Sequence, residues 1–435
     1  MSATLVGIIG LGGLFFLLAF RTPVAIAMMV IGVIGIWVLN GWQASMSTLV
    51  DESFVIASTY ELIVIPLFVL MGNFATISGM SADLYRAAYA WVGHWRGGLA
   101  SATIASCAGF AALSGSSVAS AVTMGRVSLP EMRRYNYDNR LATGCIAAGG
   151  TLGILIPPST GFVIYAILTE ESIGRLFLAG VLPGLLLTVL FMISIYIQTR
   201  INPTLGPAGP RTNLPGRVKA LVDAGAMIGI VVIVIGGIYG GIFTPTEAAG
   251  VGAFLAFLLA LIRRKVNYNA MSTVLLQTIR TSALAFLILI GAHIFNPFLA
   301  LTQIPGDLAE LLAGLELPRY VIMLILMAAY IVLGTFLEGF AMLVLTLPIV
   351  HPLILALGYD PIWFGVIMVI VLEMGLISPP VGVNVFVVKG VAEDVPLKQI
   401  FSGIIPFWIA MAICLIILLI FPQIALFLPN TMISG

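Results

Sequence analysis

The chain has 435 residues, of which 60% are hydrophobic and 9% charged, with a formal net charge of +1. A soluble domain carries about 25% charged residues, so water is excluded as the surrounding solvent and a lipid bilayer takes its place. The near-neutral balance offers no basic field for nucleic acid and no acidic one for a cationic partner.

A bilayer core about 30 Å thick needs roughly 20 apolar residues as a helix. The opening Met1-Ser2-Ala3-Thr4 lacks a positive n-region, and its apolar run reaches Phe20 before Arg21. This predicts a retained membrane segment rather than a cleaved leader. Apolar segments follow the chain at 4–20, 24–39, 62–79, 98–113, 141–156, 161–169, 176–199, 222–242, 246–262, 281–303, 319–335, 340–358, 361–377 and 400–428. Several are too short to span alone, and many of the 46 glycines and 23 prolines sit where they break. Irregular backbone at membrane depth is tolerated only inside protein or beside water, so the breaks point to a pathway.

Trp91, His94, Trp95 and Arg96 read as an interfacial anchor. Basic residues cluster at Arg200, Arg211, Arg217 and Lys219, and again at Arg263, Arg264 and Lys265. Two apolar runs lie between the clusters, so both fall on one side, which the positive-inside rule makes cytoplasmic. The stretch 200–220, with Pro203, Pro207, Pro210 and Pro215, is the one credible linker.

The halves on either side of it repeat one another. Asp138 lies fifteen residues before Gly153, and Asp360 lies fifteen before Gly375. Gly153-Ile154-Leu155-Ile156-Pro157-Pro158 then matches Gly375-Leu376-Ile377-Ser378-Pro379-Pro380. Further on, Glu170-Glu171 meets Glu393-Asp394, and Gly180-Val181-Leu182-Pro183 meets Gly403-Ile404-Ile405-Pro406. Paired, interrupted segments of this kind mark the midplane site of a carrier. The expected division is N-terminal scaffold helices at 1–60, a first repeat at 61–199, the linker 200–220, connecting helices at 221–269 and a second repeat at 270–435.

Proline lacks an N–H and clashes with the preceding turn, so each Pro-Pro stops a helix and frees carbonyls. Those carbonyls, with a hydroxyl such as Ser378, can replace the hydration shell of a small cation; a simple kink is the plain structural alternative. The Ser114-Gly115-Ser116-Ser117-Val118-Ala119-Ser120 patch reads either as close helix packing or, through Ser114 and Ser117, as hydroxyl and carbonyl ligands facing Gly153. Gly334-Thr335-Phe336-Leu337-Glu338-Gly339 holds the corresponding place in the second half. Deep charges are few: Glu373, Glu338, Glu247 and Arg280. Each is a functional candidate by default, with Glu373 equally readable as a paired structural carboxylate. Asn384 is a neutral donor able to face a carboxylate. Cys107, Cys145 and Cys414 read as small buried hydrophobes, and the scattered His94, His293 and His351 give weak support for a metal site. The sequence lacks a G-x-x-x-x-G-K-[ST] loop and a G-x-S-x-G elbow, which argues against nucleotide and serine-hydrolase chemistry.

Glu373 through Asn384 and Gly149 through Ser159 strongly resemble the large membrane subunit of tripartite ATP-independent periplasmic (TRAP) transporters. Arg96-Gly97-Gly98-Leu99-Ala100, Ser114 to Ser117 and Phe243-Thr244-Pro245-Thr246-Glu247-Ala248-Ala249 are similar to that family too. The resemblance implies an all-α polytopic protein of two repeats with broken helices and re-entrant hairpins, an elevator-type carrier of the ion-transporter superfamily. It implies a sodium gradient as driving force, a separate small four-helix membrane subunit, a periplasmic substrate-binding protein and a carboxylate substrate, all at a bacterial inner membrane. Carried over by position, one sodium site uses Ser114, Ser117, Gly153, Ile156 and Pro157. The other uses Gly334, Gly375, Ser378 and Val381. Ser159, Glu373, Pro380 and Asn384 are the implied substrate contacts. A stand-alone sodium- or proton-coupled anion symporter is the alternative, and a channel or scaffold the reading from another class.

Overall fold

The computed structural model describes residues 2–20, 22–307 and 317–432. It is all-helical over those residues, with seven helices long and apolar enough to cross a membrane, or eight if one bent pair counts as a span. Three helices come first: α1 (Ala3–Ala19), α2 (Val24–Asn40) and α3 (Trp42–Ser58). The predicted segment at 4–20 is α1; Arg21, its expected boundary, lies outside the described residues.

The first repeat opens with a span that begins as a 3-10 turn at Tyr60 and continues as α4 (Val64–Ile77). The amphipathic α5 (Met80–Val92) follows. Next α6 (Gly98–Ser114) and α7 (Ser117–Arg134) fold back on each other. Their base is closed where the Leu99 N–H donates to Tyr137 Oη at 3.1 Å, so this is a re-entrant hairpin with residues 114–117 at its tip. A span broken at Pro157-Pro158 comes next, α8 (Asn139–Leu155) and α9 (Thr160–Thr169), bent by 40°. The long α10 (Ile173–Ile201) completes the unit.

After α11 (Leu214–Tyr239) and α12 (Pro245–Ile262), the second repeat runs through the same succession. Here α13 (Tyr268–Leu301) is the entry helix, and α14 (Arg319–Gly334) with α15 (Gly339–Ala356) the hairpin. The broken span is α16 (Pro361–Leu376) and α17 (Val383–Val391), followed by the long α18 (Leu397–Ile420) and a short α19 (Gln423–Thr431). The Arg319 guanidinium sits 5.5 Å from the Tyr359 ring centroid and closes the base of the second hairpin. The punctuation read from sequence marks equivalent places: Asp138 caps α8 through the Arg140 N–H, and Asp360 caps α16 through the Ile362 and Trp363 N–H groups.

Four helices escape the apolar-run criterion: α3, α5, α7 and α17. Each is short or carries a polar face, so its burial comes from neighbours rather than from its own hydropathy. The segment predicted at 400–428 is two helices, parted at Phe421-Pro422. Of the predicted linker 200–220, Arg200 and Ile201 end α10, Pro203–Leu205 form a 3-10 turn, and irregular chain runs on to Asn213, which caps α11, with Pro215 at a first-turn position that needs no N–H.

The two repeats pack crosswise. Helix α8 lies against α18 and α16 against α10, while the short α9 docks on the second hairpin and the short α17 on the first. Every residue of α8 from Leu141 to Leu155, and of α16 from Ile362 to Leu376, is buried. Those two helices are the centre of the molecule. Around them, apolar side chains such as Phe16, Val30, Phe54, Val222, Val232 and Ile413 face outward, as lipid requires.

Backbone ties gather the basic loops onto one face. The Gly97 N–H donates to the Gly206 carbonyl at 2.8 Å, the Gly209 N–H to that of Gly93 at 3.0 Å, and the Asp138 N–H to that of Leu205 at 3.0 Å. Arg263 reaches Asp83 and the Ser78 carbonyl on this face. Arg133 at the base of the first hairpin pairs with Asp394 beyond α17. The hydrogen bond from Arg133 holds the Asp394 carboxyl below the ordinary carboxylate range. A depressed native value gives stability at neutral pH that is lost as pH falls through it. Asp394→Asn is therefore expected to flatten the acid side of a melting-temperature profile, and an unchanged profile would show that the pair contributes nothing.

Candidate functional site

Each Pro-Pro creates its local chemistry by removing donors at one register. In a helix the carbonyl of residue i is bonded by the N–H of i+4. For Gly153 and Ile154 those partners would be Pro157 and Pro158, and for Gly375 and Leu376 they would be Pro379 and Pro380. Both Pro-Pro bonds are cis. The proline register leaves the Gly153 and Ile154 carbonyls without their i+4 donors, whereas at the second break the Gly375 carbonyl accepts instead from the Ser378 N–H at 2.9 Å.

A hairpin tip is pressed against each break. At the first, α6 ends on Ser114, Gly115 turns the chain at φ +58°, and the Ser116 hydroxyl caps α7 by accepting from the Ala119 N–H at 3.3 Å. The Ser114 and Ser120 hydroxyls are bonded at 2.7 Å. Thr160 Oγ1 donates to the Gly115 carbonyl at 2.8 Å and ties the tip to the start of α9. Gly153 permits the approach: a Cβ there would stand 2.5 Å from the Ser116 carbonyl oxygen and 2.8 Å from Ser120 Oγ. Ser114, Ser117 and Gly153 are thus brought together, with Ile156 and Pro157 following directly in the break.

The second tip repeats the construction with two glycines. A Cβ on Gly375 would lie 2.6 Å from Gly334 Cα and 2.8 Å from its carbonyl carbon. Glu338 caps α15, its carboxylate accepting from the Ala341 N–H at 3.3 Å. Ser378 Oγ donates to the Met374 carbonyl at 2.6 Å and accepts from Trp408 Nε1 at 3.0 Å. Its hydroxyl is oriented from both sides, leaving one lone pair to aim. Val381 is 38% exposed at the opening of this break, and Gly382, at φ +63°, starts α17.

The four implied substrate residues separate. Ser159 is buried and caps α9, accepting from the Phe162 N–H at 3.3 Å. Pro380 is exposed in the second break. Glu373 and Asn384 meet, with Asn384 Nδ2 donating to Glu373 Oε2 at 3.3 Å. The Ser117 side chain of the first half approaches the same carboxyl.

Two of the deep-charge candidates do not lie deep. Glu247 is the third residue of a capping box, accepting from the Thr244 N–H at 2.8 Å at the surface end of α12. Arg280 is exposed on α13. Two residues that build the tips went unmarked in the sequence, Thr160 and Trp408. Thr160 stands beside the marked Ser159, whereas Trp408 comes from α18 and only the fold brings it to Ser378.

The profile of the family described as tripartite ATP-independent periplasmic transporter, DctM component, matches residues 11–424. The chain is 39% identical over 387 residues to a C4-dicarboxylate TRAP transporter large permease protein DctM from Pseudomonas aeruginosa, covering 89% of this chain and 90% of that one. It is 36% identical to the protein of the same name from Vibrio cholerae, covering 95% of each. It is 34% identical to the sialic acid TRAP transporter large permease protein SiaM of Vibrio cholerae, covering 85% of this chain and 86% of that one. In fold it is similar to the Alcanivorax borkumensis YdaH transporter, with a TM-score of 0.64 at 14% identity over 90% of this chain and 88% of the other. An all-helical, multi-pass chain with two repeats, two hairpins and two broken spans, matched by this profile over nearly its whole length, belongs to the DctM family and is the large permease component of a tripartite transporter.

Proposed function

We propose that this permease uses a sodium gradient to import a small organic carboxylate across a bacterial inner membrane. A periplasmic binding protein delivers the substrate, and a separate small four-helix membrane subunit completes the scaffold. The observation that carries this reading is the double construction of a hairpin tip pressed on a proline-ended helix. One sodium is held by Ser114, Ser117, Gly153, Ile156 and Pro157, the other by Gly334, Gly375, Ser378 and Val381. Carbonyls without their helical partners are the ligand type such a cation takes.

The N-terminal ends of the half-helices α9 and α17 face the breaks, and helix N-termini favour negative charge. Desolvating a carboxylate costs several kcal/mol, which bound cations offset. Substrate then binds after sodium, between the tips, and the hairpins with their broken spans move as a block against α1–α4 and α11–α13. Relatives are named for C4-dicarboxylates, sialic acid and ectoine, which supports a small, carboxylate-bearing substrate without choosing among them.

Uptake of labelled organic acids into proteoliposomes tests the reading. Uptake is expected only when this chain, the small subunit, the binding protein and an inward sodium gradient are all present. Sodium-driven uptake by this chain alone would instead establish a stand-alone symporter. Ser378→Ala is expected to weaken apparent sodium affinity about tenfold, or ~1.4 kcal/mol, with little change in substrate affinity at saturating sodium.

A further inference from the structure

Glu373 is 1% exposed in α16 and Asn384 is fully buried in α17. Their hydrogen bond, Asn384 Nδ2 to Glu373 Oε2, fixes the amide, because the opposite orientation would set oxygen against oxygen. Two atoms of the pair are then left over, Glu373 Oε1 and Asn384 Oδ1. Both are buried, and among the described residues neither has a hydrogen-bond partner. The Ser117 side chain faces this carboxyl, Glu338 is a second carboxyl within range, and among the described residues no Lys, Arg or His acts on it.

Buried polar atoms are satisfied with few exceptions, and an unpaired carboxylate inside a membrane protein marks a function. Both leftover atoms can accept, so a single cation between them satisfies both at once. Carboxylate, amide and hydroxyl oxygens suit a hard cation. Among the described residues no three His, Cys, Asp or Glu side chains converge, which disfavours a transition metal and suits a single charge.

We infer that Glu373 Oε1, Asn384 Oδ1 and Ser117 Oγ form a third monovalent-cation site, occupied by sodium, at the seam between the two halves. The site rests on the sodium-coupled reading above and adds an ion to it. Ser117 serves two ions from its two ends: its backbone carbonyl points to Gly150 on α8, beside the first site, and its side chain to Glu373. This also removes Glu373 from the substrate contacts, since a carboxylate there would repel an anion, whereas a carboxylate carrying sodium is neutral. Loading the seam joins the first hairpin to the second broken span, so the halves lock together only when the ion is present.

Equilibrium binding of radioactive sodium to the purified chain with its small subunit decides the matter. Glu373→Gln, which keeps the side-chain shape, is expected to lower the number of sodium ions bound per protein by one. Asn384→Ala is expected to do the same. Ser378→Ala should instead leave the count unchanged and shift one step of the sodium titration about tenfold, and the double variant E373Q/S378A should show both effects. Melting temperatures in sodium-free buffer close to that of the parent protein show that the variants are folded; should E373Q fail to fold, Asn384→Ala supplies the same count. A parent-like count in E373Q overturns this inference while leaving the two other sites intact. A parent-like count together with uptake that loses its pH dependence assigns a proton to Glu373 and also overturns it. Absence of sodium binding by the parent protein would remove the sodium-coupled reading itself.

Discussion

Gly375→Ala is expected to reduce sodium-driven uptake by a factor of about 30 or more. The added methyl group would meet Gly334 Cα at 2.6 Å, its carbonyl carbon at 2.8 Å and its oxygen at 3.1 Å. All three atoms are backbone, so no side chain can rotate away. Helix α16 is buried along its length and has nowhere to shift, which leaves the hairpin tip to move outward. Overpacking of this kind costs about 1–3 kcal/mol, and 2 kcal/mol is roughly a 30-fold change in an equilibrium. Here the displaced atoms are ligands of the proposed second sodium site, so the cost falls on ion binding. The measurement is uptake against sodium concentration, with the sodium-induced rise in melting temperature as a second readout. An alanine variant that transports at the parental rate would show that the two glycines do not form the site.

Gly403→Ala is expected to act on the whole protein instead. Its Cβ would collide with the Arg140 carbonyl oxygen, and reciprocally a Cβ on Gly144 would collide with the Gly403 carbonyl. This is the crossing of α8 and α18, where absent side chains let two backbones touch as small residues do throughout membrane interiors. A loss of about 1–3 kcal/mol should appear as a lower melting temperature and a poorer yield of folded protein, with sodium affinity unchanged in the molecules that fold. A selective loss of sodium affinity at parental stability would contradict this assignment. The pair of substitutions separates the two uses of glycine in this fold, one holding the halves together and the other shaping an ion site.

Much of this architecture is legible in the sequence because proline, glycine and aspartate punctuate both halves in the same order, with a single one-residue slip between them. Asp138 and Asp360, the two Pro-Pro breaks, and Gly180 with Gly403 mark equivalent structural positions, since each imposes a local geometry whatever surrounds it. The descending limb of the first hairpin, Ser117 to Arg134, is invisible by the same method. Its serines and arginines make it read as a loop, and it is a helix because α8 and α17 pack on it. The site divides likewise. Ser114, Gly153, Gly334, Gly375 and Ser378 lie in readable motifs, and the fold apposes Gly153 to the serine tip and Gly375 to Gly334. The meeting of Glu373 with Asn384 within a single motif is equally legible. The approach of Ser117 to Glu373 and of Trp408 to Ser378 is not, because each joins residues that no local pattern relates.

The crosswise docking of the short helices imposes an order on biosynthesis. Once the ribosome has released the chain through Ile201, α9 and the serine tip exist, yet their packing partners, α15 and α17, have not been made. A nascent chain at that stage would present hydroxyls and proline-freed carbonyls to lipid, which tolerates neither. The insertion machinery has to shelter the first half until the second arrives. A chain divided in the 202–213 loop should therefore assemble only when both fragments are synthesised into the same membrane together, and a lone N-terminal fragment should be handed to proteolysis.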